Sequence, residues 1–203
     1  MTHLVLATVF ADRLNLNADQ ANLFVLQQRL KWAGHSSSIV SVSSQAELSA
    51  SKANFLLLGH GSLAAWQACL SDWPNLAQDF LDFAVNHAAL AVASGADQVA
   101  QAPAKSVQPE KLPRTVSEFC LEGFEGLRVL GYKNTSTKIN QTMRIHSAIV
   151  TWLHGPLLAK NPALADSIIC DLLNLSNEEL KNENTRKIDE IVAGVWQLES
   201  PKN

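Results

Sequence analysis

Apolar residues in this chain form short runs that alternate with stretches of helical periodicity. Four of the apolar runs in the first half predict buried β-strands, because they are continuous rather than alternating with polar residues. These runs are His3–Val9, Ser38–Val42, Asn54–Leu58 and Ala88–Ala93. Between them, apolar residues spaced three or four apart predict amphipathic helices at Asp19–Trp32 and Trp73–His87.

The alternation of strands and helices predicts an α/β fold with three αβα layers and a mainly parallel central sheet. Ligands of such sheets bind beyond the carboxyl ends of the strands. Two predicted turns, Gly59–Ser62 and Ser94–Gly95, follow strands in this way. We therefore look for chemistry in these turns first.

The second half of the chain has a different pattern. Three prolines within Gln101–Arg114 predict a connection that runs over the surface. The apolar segments Phe119–Leu121 and Leu127–Tyr132 predict a hairpin-like pair of strands. The remaining predicted elements are a strand at Ser147–Leu153 and helices at Asn161–Leu173 and Asn182–Leu198. We expect one domain over residues 1–199, followed by a polar tail at 200–203.

Composition and charge exclude several classes of protein. Hydrophobic residues make up 47% of the chain and charged residues 17%, which argues against disorder. The net charge of −3 gives no general attraction to nucleic acid. No apolar run reaches the roughly 20 residues that a membrane-spanning helix needs, so a transmembrane protein is not expected. The N-terminus lacks the features of a signal peptide, which predicts a cytoplasmic location.

The cysteines of the chain are Cys69, Cys120 and Cys170. Their odd number and wide spacing argue against a disulfide framework or a zinc site. We expect free thiols that pack as small apolar side chains in a reducing compartment.

Ser94 is the first candidate for chemistry, because it follows a predicted buried strand and can open a helix. That arrangement is typical of a nucleophile elbow, in which a tight turn lifts a reactive side chain clear of the sheet. The next residue, Gly95, tolerates a crowded turn, and its backbone N–H can contribute to an oxyanion hole. The structural alternative is an ordinary turn in which the serine caps a helix.

His154 is the second candidate, since it follows the predicted strand Ser147–Leu153 and precedes a Gly-Pro pair. A histidine at the end of a strand can face a crevice and act as a general base. The alternative is a structural or solvent-exposed histidine.

Two further segments carry features of ligand binding. Gly59 and Gly61 allow a ligand to approach the backbone of the turn closely, although the turn can equally be an ordinary one with Ser62 as helix N-cap. The guanidinium of Arg114 suits a carboxylate, although most arginines are simply solvated.

Together these segments fall in the order and approximate spacing of a known family. The stretch Leu14–Asn22 (LNLNADQAN) resembles the family motif LNL-x-x-D-x-x-N. The stretch Thr151–Pro162 (TWLHGPLLAKNP) closely resembles T-Y-L-H-G-P-x-L-x-K-N-P. The turn Gly59–Ser62 resembles a G-G-G-S turn, and Arg114 with Gly131–Asn134 resembles an R…G-F-E-N segment. The family that these motifs resemble is the glutaminase subunit of lipid II isoglutaminyl synthase, a class I glutamine amidotransferase of the cobyric-acid-synthase type.

The resemblance implies a flavodoxin-like fold and an activity. Members hydrolyse L-glutamine and pass ammonia to a Mur-ligase-like subunit in a heterodimer. That partner uses ATP to amidate D-glutamate in the peptidoglycan precursor lipid II. ATP and metal are therefore expected on the partner, and no cofactor is expected in this chain.

The resemblance also implies roles for individual residues. Ser94 would stand at the position of the nucleophilic cysteine, and His154 would match the histidine that activates it. Arg114 would hold the substrate carboxylate. The oxyanion would be held by backbone groups at Gly59, Gly61 and Gly95.

The chain departs from the family pattern beside the nucleophile. Ser94–Gln98 corresponds to the motif C-G-G-Y-Q, so a hydroxyl replaces a thiol. A thiol is partly ionised near neutral pH, whereas a hydroxyl needs an aligned base throughout the attack. Asp97 also adds a negative charge beside the nucleophile, and no Glu lies two residues after His154 to complete a triad.

Four hypotheses remain open on the sequence alone. The chain is a working glutaminase subunit with a serine nucleophile, or a catalytically silent relative that serves as a scaffold, regulator or binding subunit. A serine hydrolase that uses Ser94 and His154 is the third hypothesis. The fourth keeps the amidotransferase fold but serves cobyric acid amidation.

Overall fold

The computed structural model of the chain describes residues 1–101, 111–137 and 141–199. The strands in these ranges are β1 His3–Val9, β2 Ser36–Val42, β3 Phe55–Leu58, β4 Ala88–Val92, β5 Lys111–Phe124, β6 Leu127–Thr137, β7 Met143–Ile145, β8 Ala148–Thr151 and β9 Leu153–His154. The helices are α1 Ala21–Trp32, α2 Gln45–Ser51, α3 Leu63–Asp72, α4 Leu76–Ala84, α5 Ser94–Gln101, α6 Leu157–Lys160, α7 Pro162–Leu173, α8 Asn177–Leu180 and α9 Glu183–Glu199.

Six strands form the main sheet, in the order β2-β1-β3-β4-β8-β7. All neighbours are parallel except β7, which runs antiparallel to β8 at one edge. A second, antiparallel sheet has the order β5-β6-β9. The predicted mainly parallel sheet is therefore confirmed, and the carboxyl ends of β3, β4 and β8 lie side by side.

Both faces of the main sheet are buried, which explains why its strands are continuously apolar. In β3, Leu56 and Leu58 pack into one apolar cluster, whereas Phe55 and Leu57 pack into the other. The first cluster includes side chains from α2, α3, α4 and α5, and the second includes side chains from α1, α6 and α7. The three αβα layers predicted from the sequence are thus confirmed.

The helices of the first half differ from those predicted. The helix expected over Trp73–His87 is the shorter α4, and α2 and α3 were not predicted. Only Leu48 of α2, and Trp66 and Cys69 of α3, are buried, so neither helix carries a full apolar stripe. The Ser62 side chain accepts a hydrogen bond from Ala65 N–H at 3.2 Å and caps α3. This agrees with the alternative interpretation of that turn, in which Ser62 is a helix N-cap.

The hairpin of the second half is confirmed, but its strands are longer than predicted. Its turn consists of Glu125 and Gly126, whose φ angles of 49° and 80° suit a two-residue hairpin loop. The strand predicted over Ser147–Leu153 is divided, because β8 ends at Thr151 and the chain then joins the other sheet as β9. The predicted connection Gln101–Arg114 lies mostly outside the described residues, and Lys111–Arg114 belongs to β5.

Other expectations concern whole classes of site. In the described parts of the chain, no helix combines the length and apolarity needed to cross a membrane. Within the described ranges, Cys69, Cys120 and Cys170 are not joined in disulfide bonds. Among the residues that the structure describes, no group of three or more His, Cys, Asp or Glu side chains could hold a metal ion.

Candidate functional site

Three segments meet at the carboxyl edge of the main sheet, and we call them together the elbow site. They are the turn Gly59–Ser62 after β3, the turn Ala93–Gly95 after β4, and His154 of β9. The imidazole of His60 connects them. Its Nδ1 lies 2.8 Å from Ser94 Oγ, and its ring centroid lies 4.7 Å from that of His154. The predicted segments therefore lie together, as expected where parallel strands end side by side.

The turn after β4 has the strained backbone of an elbow, and the strain lies at Ala93. Its φ is 51°, a left-handed value that is uncommon for a residue with a Cβ. Ser94 follows as the first residue of α5. The sequence predicts Ser94 as the nucleophile of the elbow, whereas the strained backbone conformation is found at Ala93.

Gly95 is required for the packing of this turn. A Cβ at this position would lie 2.6 Å from the Leu58 carbonyl oxygen and 2.8 Å from that of Gly59. The first turn of α5 therefore rests directly on the end of β3. No side chain larger than hydrogen fits at residue 95 without moving the backbone.

The hydroxyl of the half-buried Ser94 has several polar partners. Its Oγ accepts hydrogen bonds from Trp66 Nε1–H at 2.7 Å and from Gly61 N–H at 3.0 Å. Its own proton has two acceptors within reach, His60 Nδ1 at 2.8 Å and Gly61 O at 3.1 Å. Two accepted bonds fill both lone pairs of a hydroxyl oxygen. In this arrangement Ser94 ties the Gly59–Ser62 turn and α3 to α5.

His60 is a site residue that sequence reasoning missed. Its Nδ1 accepts from Ser94 N–H at 3.3 Å, which assigns the ring proton to Nε2. Burial, and secondly the nearby His154, lower the pKa of His60 to about 4, so the ring is neutral at pH 7. One signal was available in the sequence, because His60 stands where the family turn G-G-G-S has glycine.

Both ring nitrogens of His154 have partners. Nδ1 is hydrogen-bonded to the side-chain amide of Asn17, and Nε2 lies 3.1 Å from the Asn134 carbonyl oxygen. Desolvation lowers the pKa of His154, although the Asn134 contact and the charge of Asp97 oppose the shift. Within the described part of the chain, these hydrogen bonds of His154 do not include Ser94.

Asp19 lies beneath the elbow site with no exposed surface. Its Oδ2 accepts a hydrogen bond from His60 N–H at 2.9 Å. Burial raises the pKa of Asp19 to about 6, even though backbone N–H groups stabilise the carboxylate. This carboxylate fixes the peptide that carries the His60 side chain.

The glycines of the turn after β3 are also explained by packing. A Cβ at Gly59 would lie 2.1 Å from the Leu14 carbonyl oxygen, and one at Gly61 would lie 2.6 Å from the Leu14 side chain. Gly61 N–H is donated to Ser94 rather than left open. Oxyanion-holding roles for Gly59, Gly61 and Gly95 therefore stay predictions.

The two stretches that carry the resemblance contact each other. Asn17 and Asn22 of the first motif reach residues of the second, through His154 and Leu158 respectively. Asn22 Oδ1 accepts from Leu158 N–H at 2.8 Å in a buried position. These residues hold α1 against the segment that leads from β9 to α6. Their identity is thus accounted for by packing.

Two remaining sequence predictions concern charge. Asp97 Oδ1 accepts a hydrogen bond from Trp152 Nε1–H at 2.8 Å, so this carboxylate anchors the residue between β8 and β9 to α5. Arg114 belongs to the backbone of β5, but its side chain lies outside the described residues. Its role as a carboxylate-binding residue stays a prediction.

No protein-family model and no curated protein sequence matches this chain. Solved structures give weak likenesses over nearly the whole length. DJ-1beta from Drosophila melanogaster is 14% identical, with 96% of each chain covered and a TM-score of 0.43. A putative GMP synthase subunit from Thermoplasma acidophilum is 12% identical, with 98% of this chain and 99% of that chain covered and a TM-score of 0.45. A glutamine amidotransferase from Thermotoga maritima is 10% identical, with the same coverage and TM-score. Likenesses at this level do not assign the chain to a family.

Proposed function

We propose that this chain is an amidotransferase-like subunit that binds its ligand without hydrolysing it. One observation carries this proposal: the hydroxyl of Ser94 is committed to the protein itself. Trp66 Nε1–H and Gly61 N–H occupy its two lone pairs. Attack on a carbonyl carbon needs one of those lone pairs directed at the substrate, so Ser94 would have to lose one of these hydrogen bonds before each turnover.

The state of His154 supports the same conclusion. A general base needs a free lone pair within reach of the proton that it removes. The lone pair on Nδ1 faces the Asn17 amide, and the proton on Nε2 faces the Asn134 carbonyl. Neither nitrogen is directed at Ser94, whose hydrogen-bonded imidazole is that of His60. On this proposal, Ser94 and His154 do not act together as nucleophile and base.

The resemblance supplies the finer part of the proposal. The ligand is the side-chain amide or carboxylate of an amino acid of the L-glutamine type, with Arg114 holding its carboxylate. The partner is a Mur-ligase-like subunit that carries ATP and metal. The pathway is amidation of D-glutamate in lipid II, in the cytoplasm. In that assembly this chain would act as a binding or regulatory subunit.

The test measures ammonia release from L-glutamine, with and without a Mur-ligase-like partner, for the unaltered chain and for Ser94→Ala and His154→Ala. We expect no release above the level of the two variants, while calorimetry detects binding of L-glutamine or L-glutamate. Ammonia release by the unaltered chain that disappears in both variants would contradict the proposal. Absence of binding to either amino acid would also contradict it.

A serine hydrolase is the second candidate, because Ser94 Oγ and His60 Nδ1 are 2.8 Å apart. This is the distance expected of a nucleophile and its base. The low pKa of His60, about 4, keeps the ring in the neutral form that a base requires. Hydrolysis of a small activated ester such as p-nitrophenyl acetate, abolished by both Ser94→Ala and His60→Gln, would favour this candidate.

A further inference from the structure

The position of a nucleophile in an elbow is recognised by its backbone. The nucleophile sits on the strained residue, the helix begins directly after it, and small residues stand two positions before and after. Ala93 meets all three criteria: its φ is 51°, α5 begins at the next residue, and Ala91 and Gly95 flank it. Ser94 is already helical, and Val92 stands two positions before it.

The backbone donors of this elbow are occupied by side chains of the same protein. The N–H that follows the nucleophile normally belongs to the oxyanion hole. Here it is the Ser94 N–H, which donates to His60 Nδ1 at 3.3 Å. The neighbouring donor, Gly61 N–H, is bonded to Ser94 Oγ at 3.0 Å. A developing oxyanion would therefore have to displace the His60 ring.

The Ser94 N–H is occupied because residue 60 is a histidine, whose imidazole reaches this donor. The turn that it occupies resembles one with glycine at the same position. Its backbone N–H is fixed by Asp19 at 2.9 Å, and its ring lies edge-on to that of His154. The imidazole thus lies between the two segments that a substrate amide would need to contact.

We infer that residue 93 is the reactive position of the elbow site, that alanine there removes the nucleophile, and that the His60 imidazole occupies the oxyanion hole. The inference rests on the proposed function, since it explains why ligand is bound but not cleaved. It also predicts that activity is restored by a cysteine at residue 93 and not at residue 94. Removal of the His60 ring should be needed as well.

The restored step is a glutamine hydrolysis. The thiolate introduced by Ala93→Cys attacks the side-chain carbonyl carbon, a C–S bond forms, and the C–N bond breaks. The leaving nitrogen takes up from solvent the proton that the thiol released on ionising, and departs as ammonia. Water then hydrolyses the thioester, which releases glutamate and returns the thiol. During the attack the oxyanion is held by the Ser94 N–H, which becomes available when the His60 ring is removed.

The experiment compares Ala93→Cys/His60→Ala with the matched variant Ser94→Cys/His60→Ala. Both carry one added thiol and lack the same ring. We expect ammonia release from L-glutamine only in the first variant. Release by the second variant at an equal or higher rate, or silence of a folded first variant, would overturn the inference.

A second measurement does not depend on turnover. Iodoacetamide labelling, resolved by peptide mass, reports on the thiol introduced at residue 93 in the single variant Ala93→Cys and in the double variant. Ala93 is 3% exposed with His60 in place, so His60→Ala should speed labelling of that thiol by about tenfold or more, since a thiolate must be accessible to react. Equal rates in the two variants would refute the role given to His60. Ammonia release by the unaltered chain would instead refute the proposed function.

Discussion

The two sheets of this molecule differ in the buried interactions that stabilise them. The main sheet is held by apolar side chains on both faces, with Leu56, Leu57 and their neighbours fully buried. The small sheet contains a buried ion pair, in which Lys133 Nζ lies 2.7 Å from Glu122 Oε1 and both side chains are 7% exposed. Apolar burial tolerates many sequences, whereas a buried ion pair requires its partner. The elbow turns are therefore positioned by general packing, and His154 by a sheet that combines apolar burial with a specific ion pair.

Individual glycines of the two sheets differ in how closely the backbone is packed, although Gly131 of the small sheet is also crowded, since a Cβ there would lie 2.7 Å from the Leu153 Cβ. At the carboxyl edge of the main sheet, glycines lie against carbonyl oxygens of other segments. In the hairpin of the small sheet, a Cβ added at Gly123 would meet nothing within 4 Å. A glycine-to-alanine substitution at Gly59 and at Gly123 therefore compares a crowded backbone position with an open one.

Gly59→Ala should have the largest effect on stability. Its Cβ would lie 2.1 Å from the Leu14 carbonyl oxygen, which no rotamer change can relieve. We expect the free energy of unfolding to fall by more than about 4 kcal/mol, or the protein not to fold. Gly123→Ala, measured by the same denaturant titration, should be neutral or slightly stabilising, because alanine restricts the unfolded chain.

Lys133→Met tests the buried ion pair of the small sheet. The change leaves the Glu122 carboxylate buried without its cation, which typically lowers stability by about 3–5 kcal/mol. The control is the double variant Lys133→Met/Glu122→Gln, which removes the charge but keeps an acceptor for Thr142 N–H at 2.7 Å. Most of the loss should be recovered in the double variant. Equal instability of both variants would show that the ion pair is not what holds this sheet.

The pH dependence of stability should reveal two groups at the elbow site, Asp19 and His60, whose contributions to stability change in opposite directions as the pH rises. Asp19 has its pKa raised from 3.8 to about 6, so its contribution is full below pH 3.8 and is lost as pH rises through 6. His60 has its pKa lowered from 6.5 to about 4, so its contribution is full above pH 6.5 and is lost as pH falls toward 4. His154 shifts in the same direction as His60. Between pH 4 and 6 the two signs partly cancel.

Single variants should separate these contributions. Asp19→Asn should make stability rise more steeply between pH 4 and 6.5, because only the histidine contributions remain. His60→Gln should make it rise less steeply, or fall. The Asp19 contribution corresponds to at most about 3 kcal/mol, since one pKa unit corresponds to about 1.4 kcal/mol. Thermal unfolding at half-unit pH steps measures these slopes, and parallel profiles for all three proteins would contradict the assignment.

Ser94→Ala should have the smallest effect of the four. The substitution leaves the Trp66 indole N–H and the Gly61 N–H without their acceptor, which should cost about 1–2 kcal/mol. Ser49→Ala on exposed α2 is the matched control and should change stability by less than about 0.5 kcal/mol. If Ser94→Ala is as neutral as the control, the hydroxyl does not tie the two turns together.

Part of the fold and site could be predicted from local pattern. The continuous apolar run at Asn54–Leu58 contained β3, and the periodicity of Asp19–Trp32 contained α1. Helix α3 could not be predicted, because burial of Trp66 and Cys69 depends on which sheet face receives them. The division of Ser147–Leu153 between two sheets could not be predicted either, since Leu153 pairs with Lys133 across a long sequence separation.

The sequence by itself determined the three-layer α/β architecture and the segments from which the elbow site is built. These features follow from periodicity and residue type, which are local properties. Only the tertiary structure decided that the strained residue is Ala93, that His60 bonds to Ser94, and that His154 faces Asn17 and Asn134. Backbone strain and hydrogen-bond partners arise when segments far apart in the chain are packed together, and no single segment contains that information.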